Sequence, residues 1–134
     1  MITVKTSIKA SIDKVWEFWI LPEHIINWNT LSEEWQTSNA ENALKVGGKF
    51  KYSMIAKDKS QSFDFEGEYT NVEKNKVIDY KLFDGRTGII HFQVKEGKVE
   101  LMEIFEPVKE HSESMQKDWC QAVIDNFKHY VESF

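Results

Sequence analysis

The sequence contains few cysteines, prolines and glycines, and it has no long apolar segment. Its 134 residues include one cysteine, two prolines and six glycines. Cys120 cannot form an intrachain disulfide on its own, so we expect a reducing, cytoplasmic location. The first residues, MITVK, begin neither a signal peptide nor a membrane span, because both need a longer apolar run. These absences argue against a disulfide-rich secreted protein and against a helical membrane protein.

Basic stretches and catalytic motifs are also missing. The net charge is −5 and the lysines are interleaved with Glu and Asp, so we expect no nucleic-acid partner, which would need a positive stripe. The sequence has no glycine-rich phosphate loop, nucleophile elbow or pair of catalytic carboxylates. The four histidines and Cys120 lack metal-ligand spacing, so we expect neither a metal site nor a cofactor. An enzyme is therefore the less favoured class.

Aromatic residues, in contrast, are abundant. The chain has nine Phe, five Trp and four Tyr within a hydrophobic content of 41%. This length and composition predict a single domain, residues 1–134, with a sizeable core. The many rings have two interpretations: they fill the core, or they line a pocket for an apolar or aromatic guest.

The longest periodic segment runs from Ser112 to Phe134. Its apolar residues recur every three or four positions, which predicts an amphipathic helix of about five or six turns. Ser112 is a suitable N-cap, because its hydroxyl can accept an unpaired amide of the first turn. The stripe predicted to face the core contains Met115, Trp119, Ala122, Val123, Asn126, Phe127 and Tyr130.

The N-terminal third combines a strand, two short helices and a segment without a clear pattern. Residues 2–8 alternate and predict a half-buried strand. Ser11 and Pro22 are favourable first residues for two short helices. Residues 29–46 show no clear period and predict a long loop with at most one short strand or turn.

Between residues 49 and 105, apolar and polar residues alternate in short runs that predict antiparallel strands. Asp84-Gly85 predicts a hairpin turn, and Gly67 inside a strand predicts a bend or a close backbone approach. The predicted fold class is α+β. Its curved antiparallel sheet of about six or seven strands wraps around the long C-terminal helix, and two short helices follow the first strand.

Several stretches match the pattern of a known family in order and at the expected spacing: VWEFW (15–19), PEH (22–24) with Trp28, KVGGKF (45–50), FDFEGEY (63–69), DGR (84–86), EIFEP (103–107) and MQKDWCQAVIDNF (115–127). On these stretches the chain resembles the bacterial single-domain proteins similar to the C-terminal domain of the activator of heat-shock protein 90 ATPase. They belong to the START-like (SRPBCC) helix-grip superfamily. The resemblance implies a cavity between the inner sheet face and the long helix. It does not specify a function, because this fold hosts lipid carriers, aromatic cyclases, hormone receptors and chaperone regulators.

Glu103 decides the polarity of the predicted cavity. If Leu101 and Phe105 point inward, strand alternation turns Glu103 inward as well. Its carboxyl would then have a raised pKa and could bond a ligand. The alternative is a solvated Glu103 on the outer face. The candidate cavity residues, with the two tryptophans Trp28 and Trp35 at the mouth, are Trp28, Trp35, Phe50, Tyr52, Phe63, Phe65, Tyr80, Leu82, Phe92, Glu103, Met115, Trp119 and Val123.

The favoured function is binding of a small hydrophobic or aromatic molecule in this cavity. The alternative is a chaperone-associated or regulatory protein-interaction module, which would show an exposed apolar patch and a filled interior. We expect no separate N-terminal domain of the kind with which two-domain chaperone activators bind their chaperone, because 134 residues leave no room for one. A cyclase- or hydrolase-like enzyme ranks third, because only Glu103 is a candidate for the several ionisable groups that it would need.

Overall fold

The structure, a computed structural model, describes residues 1–30 and 33–134. These residues contain seven strands and three helices. All neighbouring strands are antiparallel, in the order β1-β7-β6-β5-β4-β3-β2. This arrangement confirms the predicted α+β fold. The elements are β1 (Ile2–Ile8), α1 (Ile12–Ile20), α2 (Pro22–Trp28), β2 (Trp35–Asn42), β3 (Lys49–Ala56), β4 (Ser62–Glu73), β5 (Val77–Leu82), β6 (Thr87–Lys95), β7 (Lys98–Phe105) and α3 (Glu113–Glu132).

The helices begin where the sequence predicts. The Ser11 hydroxyl accepts the Lys14 amide at 3.2 Å, and the Ser112 hydroxyl accepts the Met115 amide at 3.1 Å. Each bond satisfies an amide of the first turn that has no partner within the helix. Pro22 lies in the first turn of α2, where its missing N–H is tolerated.

Two local predictions for the sheet are also confirmed. Asp84 lies in the turn between β5 and β6, and its carboxylate accepts the Arg86 amide at 3.0 Å and pairs with the Arg86 guanidinium at 2.7 Å. Gly67 in β4 marks a close backbone approach, because a Cβ there would lie 2.5 Å from the Lys81 carbonyl oxygen of β5. A side chain at this position would force the two strands apart.

Residues 29–46, predicted as a long loop, contain a full edge strand. β2 pairs with β3 along its whole length, with a register shift between Thr37 and Asn39. β2 has a neighbour on one side only and is largely exposed, so backbone hydrogen bonds hold it more than apolar burial does. Its polar sequence therefore lacks the alternation from which strands are predicted. Positions 31 and 32 of the predicted loop lie outside the described residues.

The buried face of α3 is rotated from the predicted stripe. Met115 is 45% exposed, and Trp119 is half-buried with its ring against His111 at 5.0 Å. The buried face starts instead at Gln116, whose side chain accepts the Val108 amide at 2.8 Å and donates to the His111 carbonyl at 2.9 Å. Because Gln116 is polar, a helix face chosen by its apolar residues does not include it, although its hydrogen bonds hold the start of α3. The buried apolar residues of α3 are Ile124, Phe127 and Val131.

One half of the interior is tightly packed. We define the filled half as the residues of β1, α1, β7 and α3 that are at most 1% exposed. Of the sheet strands, β1 is the one that α3 approaches most closely, and α3 also contacts α1 and α2. Burial of these side chains supplies the main hydrophobic stabilisation. The filled half consists of Val4, Ile8, Val15, Val99, Leu101, Ile124, Phe127 and Val131.

Candidate ligand-binding cavity

The other half of the interior encloses a cavity of about 170 Å³. Its walls come from the inner faces of β3–β7, from α1 and α2, and from the middle of α3. Phe63, which is 43% exposed, borders its opening. We call this region the hollow half. The inner strand faces reach it because β3, β4 and β5 alternate between inward rings and outward polar residues.

Most of the residues predicted for a cavity meet around this space. They come from all the elements that the sequence predicted to enclose it: the second short helix, the strands and the last helix. They are Trp28, Phe50, Tyr52, Phe63, Phe65, Tyr80, Glu103 and Val123.

Two other predicted residues lie next to the cavity wall but not on it. Trp35 stands beside the opening, where its ring contacts that of Phe63 at 5.4 Å between centroids. Phe92 is buried, but the pairing of β6 with β7 places it opposite Leu101 of the filled half. There its ring packs edge-on against Trp16 at 5.1 Å. Trp35 thus lies at the mouth without lining the cavity, and Phe92 lies outside the lining, because strand alternation gives the face of a strand but not the position along it.

The remaining three predicted residues do not line the cavity. Met115 is 45% exposed, and the half-buried Trp119 packs against His111 near the start of α3. Leu82 is buried at the end of β5 opposite Gly67, outside the cavity wall.

Sequence reasoning missed several cavity residues for which a signal exists. Met54 and Tyr69 continue the inward alternation of β3 and β4, and Ile90 lies two residues before Phe92 on the same face of β6. Cys120 lies one turn before Val123 on α3. Trp19 and Asn29 carry no such signal, because the orientation of α1 and of the α2 terminus depends on tertiary packing. The missed residues are Trp19, Asn29, Met54, Tyr69, Ile90 and Cys120.

Phe50 is the centre of the aromatic wall. Its ring centroid lies 5.1 Å from that of Tyr69, 5.5 Å from Tyr52, 5.7 Å from Phe65 and 5.9 Å from Tyr80. Tilted and edge-on pairs in this range are attractive beyond their burial. The wall is therefore held by its own ring contacts.

Glu103 brings a carboxyl group to the aromatic wall. Alternation along β7 places it on the same face as the buried Leu101 and Phe105. The Tyr80 hydroxyl donates to Glu103 Oε2 at 2.5 Å. The other oxygen, Oε1, has no hydrogen-bond partner among the described residues. Of the two orientations open from the sequence, the structure shows the inward one.

Gly88 makes the Tyr80–Glu103 contact possible. It lies opposite Tyr80 in the pairing of β5 with β6. A Cβ at Gly88 would lie 2.2 Å from Tyr80 Cζ and 2.3 Å from its hydroxyl oxygen. The phenol thus crosses the backbone at a position where no side chain blocks it, and this path carries its hydroxyl to Glu103.

One protein family matches most of this chain. Residues 9–132 match the family described as "Activator of Hsp90 ATPase homolog 1-like protein". The chain belongs to this family. None of the proteins with curated functions matches this AHSA1-like chain. Within the described residues, none of its helices has the length and apolar character that crossing a membrane requires.

Solved structures agree with this assignment. The solution NMR structure of the AHSA1-like protein from Aeromonas hydrophila is 34% identical, with a TM-score of 0.89 over 98% of this chain and 93% of that chain. A protein from Cytophaga hutchinsonii is 40% identical, with a TM-score of 0.86 over 98% and 92%. A protein from Chromobacterium violaceum, 18% identical with a TM-score of 0.84 over 98% and 99%, shares the fold alone.

Burial raises the pKa of each of the shifted ionisable groups around the cavity of this AHSA1-like domain. Burial raises the pKa of the Glu103 carboxyl above its usual value, and the Tyr80 hydrogen bond opposes part of that rise. Burial and the nearby Glu103 charge hold the pKa of Tyr80 well above its usual value. Burial raises the pKa of Tyr69 and that of Cys120 to about 12 each. The Cys120 thiol therefore stays protonated at neutral pH and is a poor nucleophile.

Proposed function

We propose that this AHSA1-like domain binds a small, largely apolar aromatic molecule in its cavity. The observation that carries the proposal is a space of about 170 Å³ walled by aromatic side chains, with one carboxyl group at its edge. An apolar protein cavity of about 150 Å³ holds benzene, whereas sites for drug-sized ligands run from about 300 to 1,000 Å³. The volume therefore supports a guest with one ring.

Affinity would come from the apolar surface that the guest removes from water. Phe50 and Phe65 offer ring faces, and Val123 and Ile90 offer aliphatic contact on the opposite walls. For small ligands, efficiencies of roughly 0.3–1.5 kcal/mol per non-hydrogen atom give a molecule of toluene's size about 2–10 kcal/mol of binding free energy, so its dissociation constant lies between roughly tens of nanomolar and tens of millimolar. Bonding at Glu103 would add to this affinity.

The entry route is supported by the aromatic pair at the opening. Phe63 lines the cavity and is 43% exposed, and the ring of Trp35 on the edge strand packs against it. An edge strand with a single neighbour can shift more easily than a central one. We expect Phe63 and Trp35 to be the side chains that move when a guest enters.

The chaperone-associated alternative comes from the family description, which names an activator of the Hsp90 ATPase. It needs a contiguous exposed apolar surface. The large exposed apolar side chains of the described residues lie on different elements, for example Ile26 on α2, Val94 on β6 and Met115 on α3. The cavity therefore has the stronger support, and the chaperone role stays a prediction.

The test is thermal unfolding with toluene as probe, on the wild type and on a matched pair of variants. Val123→Phe places a ring into the cavity, whereas Val94→Phe makes the same change on the exposed side of β6. At tenfold excess over the dissociation constant, toluene should stabilise the wild type and Val94→Phe by about 1.4 kcal/mol. Val123→Phe should not respond. No response of the wild type, or an equal response of Val123→Phe, would refute the proposal.

A further inference from the structure

We propose that the guest of this cavity is an aromatic amine, whose ammonium group pairs with Glu103 while its ring packs against the aromatic wall. This inference rests on the proposed function and assigns the chemical class of the guest. It follows from three observations at the polar edge of the cavity, all made on the described residues: an oxygen of Glu103 without a hydrogen-bond partner, the absence of a salt bridge to Glu103, and the hydrogen bonds that the Tyr80 and Tyr69 hydroxyl groups already donate.

The first observation is the asymmetric bonding of the carboxyl group. Glu103 Oε2 accepts the Tyr80 hydroxyl, whereas Oε1 has no hydrogen-bond partner in residues 1–30 and 33–134. Oε1 is also not among the buried side-chain oxygens sealed away without a partner. Since Glu103 lines the cavity, a molecule inside it can reach this oxygen.

The second observation is the missing counter-charge. No Lys, Arg or His of the described chain forms a salt bridge with Glu103. Arg86 exerts an electrostatic effect on Tyr80 and Cys120, but its guanidinium is bonded to Asp84 at 2.7 Å. An unpaired carboxylate in a largely apolar site is costly, and a bound cation would remove that cost.

The third observation is that two hydroxyl groups of the cavity already donate their hydrogens within the protein. Tyr80 donates to Glu103, and Tyr69 donates to the Asn42 side chain. Beside Glu103 these hydroxyl groups therefore act as acceptors toward a guest, so a carboxylate or other anion finds no hydroxyl donor there. This edge fits a guest that brings its own donor.

A cation suits this edge better than a neutral donor. Charge-assisted hydrogen bonds to a carboxylate are stronger than neutral ones. The ring faces of Phe50, Phe65 and Tyr80 stand around the same space, and aromatic faces attract cations. A primary ammonium on a short stem next to one ring satisfies both the carboxylate and the wall.

The experiment compares three probes of nearly equal size: ethylbenzene, benzyl alcohol and benzylamine. Each is titrated at neutral pH, by calorimetry or NMR, into the wild type, Glu103→Gln and Glu100→Gln. Glu100→Gln is the matched control, because Glu100 is an exposed residue on the opposite face of the same strand. Glu103→Gln keeps the shape of the side chain and an acceptor for Tyr80, and ethylbenzene binding reports that the variant is folded.

We expect the wild type and Glu100→Gln to bind benzylamine about tenfold or more tightly than ethylbenzene. Glu103→Gln should lose this preference for the amine. Equal affinities of the three probes, a preference for benzyl alcohol over the amine, or equal loss in Glu100→Gln would overturn the amine assignment while leaving the proposed function intact. Failure of all three probes to bind the wild type would overturn both.

Discussion

The filled and hollow halves of the interior lie under the same sheet and the same helix, yet they are built from different side chains. In the filled half, Val4, Ile8 and Leu101 are at most 1% exposed and carry no polar atoms. In the hollow half, Tyr52 and Tyr80 end in hydroxyl groups, and Phe65 stays half-buried. Aliphatic side chains interdigitate closely, whereas rigid rings with polar tips leave space that a guest can use.

The largest expected effect is on the free energy of unfolding, when one aromatic ring is removed from each half in turn. Phe127→Ala removes a fully buried ring that packs on Trp19 and Trp28 at 4.9 Å each, and it should lower the free energy of unfolding by about 3–5 kcal/mol. Phe65→Ala removes a half-buried ring and should cost only about 1–2 kcal/mol. Chemical denaturation measures both values. Equal losses would mean that the hollow half is packed as tightly as the filled half.

An intermediate effect is expected where the hollow half is tightest. Gly88→Ala places a Cβ 2.2 Å from Tyr80 Cζ, so the ring must move and release Glu103. Such overpacking should lower the free energy of unfolding by about 1–3 kcal/mol. The matched control repeats Gly88→Ala in a Tyr80→Leu background, because Leu lacks the ring atoms that the new Cβ would meet. If Gly88→Ala lowers the free energy of unfolding equally in both backgrounds, the Tyr80 ring does not cross Gly88.

The smallest effect has the opposite sign and depends on pH. Burial raises the pKa of Glu103 in the folded protein above its usual 4.5. Between pH 4.5 and this raised pKa, the folded state therefore holds more protons than the unfolded state. The stability contributed by Glu103 is therefore fully present below pH 4.5 and is lost as the pH rises through the folded pKa. Glu103→Gln should gain stability over the wild type as the pH rises through this window, as thermal unfolding measures.

Glu100→Gln is again the control for that pH dependence, because Glu100 is exposed. Its difference from the wild type should stay flat across the same window. A flat difference for Glu103→Gln as well would contradict the burial of the Glu103 carboxyl.

Most of the fold could be predicted because its signals are local. Alternation placed Phe50 and Tyr52 on the inner face, and the Ser11 and Ser112 caps marked helix starts, whereas both orientations of Glu103 stayed open. These features depend on neighbours within a few residues. They left open whether the inward rings fill the core or line a cavity, and the family resemblance implied the cavity.

The remaining features depend on distant contacts. Gln116 is buried because it bonds the backbone around Val108, and this rotates α3 away from the stripe through Trp119. The edge strand β2 is held by its pairing to β3 and carries no apolar period. Trp19 reaches the cavity because α1 packs across the sheet, which spacing along the chain does not encode.

The contrast between a filled and a hollow half is tested most directly by NMR of isoleucine methyl groups during a toluene titration. Ile90 lines the cavity, whereas Ile8 and Ile124 belong to the filled half and are at most 1% exposed. We expect saturable shifts of the Ile90 methyl signals, with those of Ile8 and Ile124 nearly unchanged. Unchanged Ile90 signals, or shifts spread equally over all three residues, would contradict it.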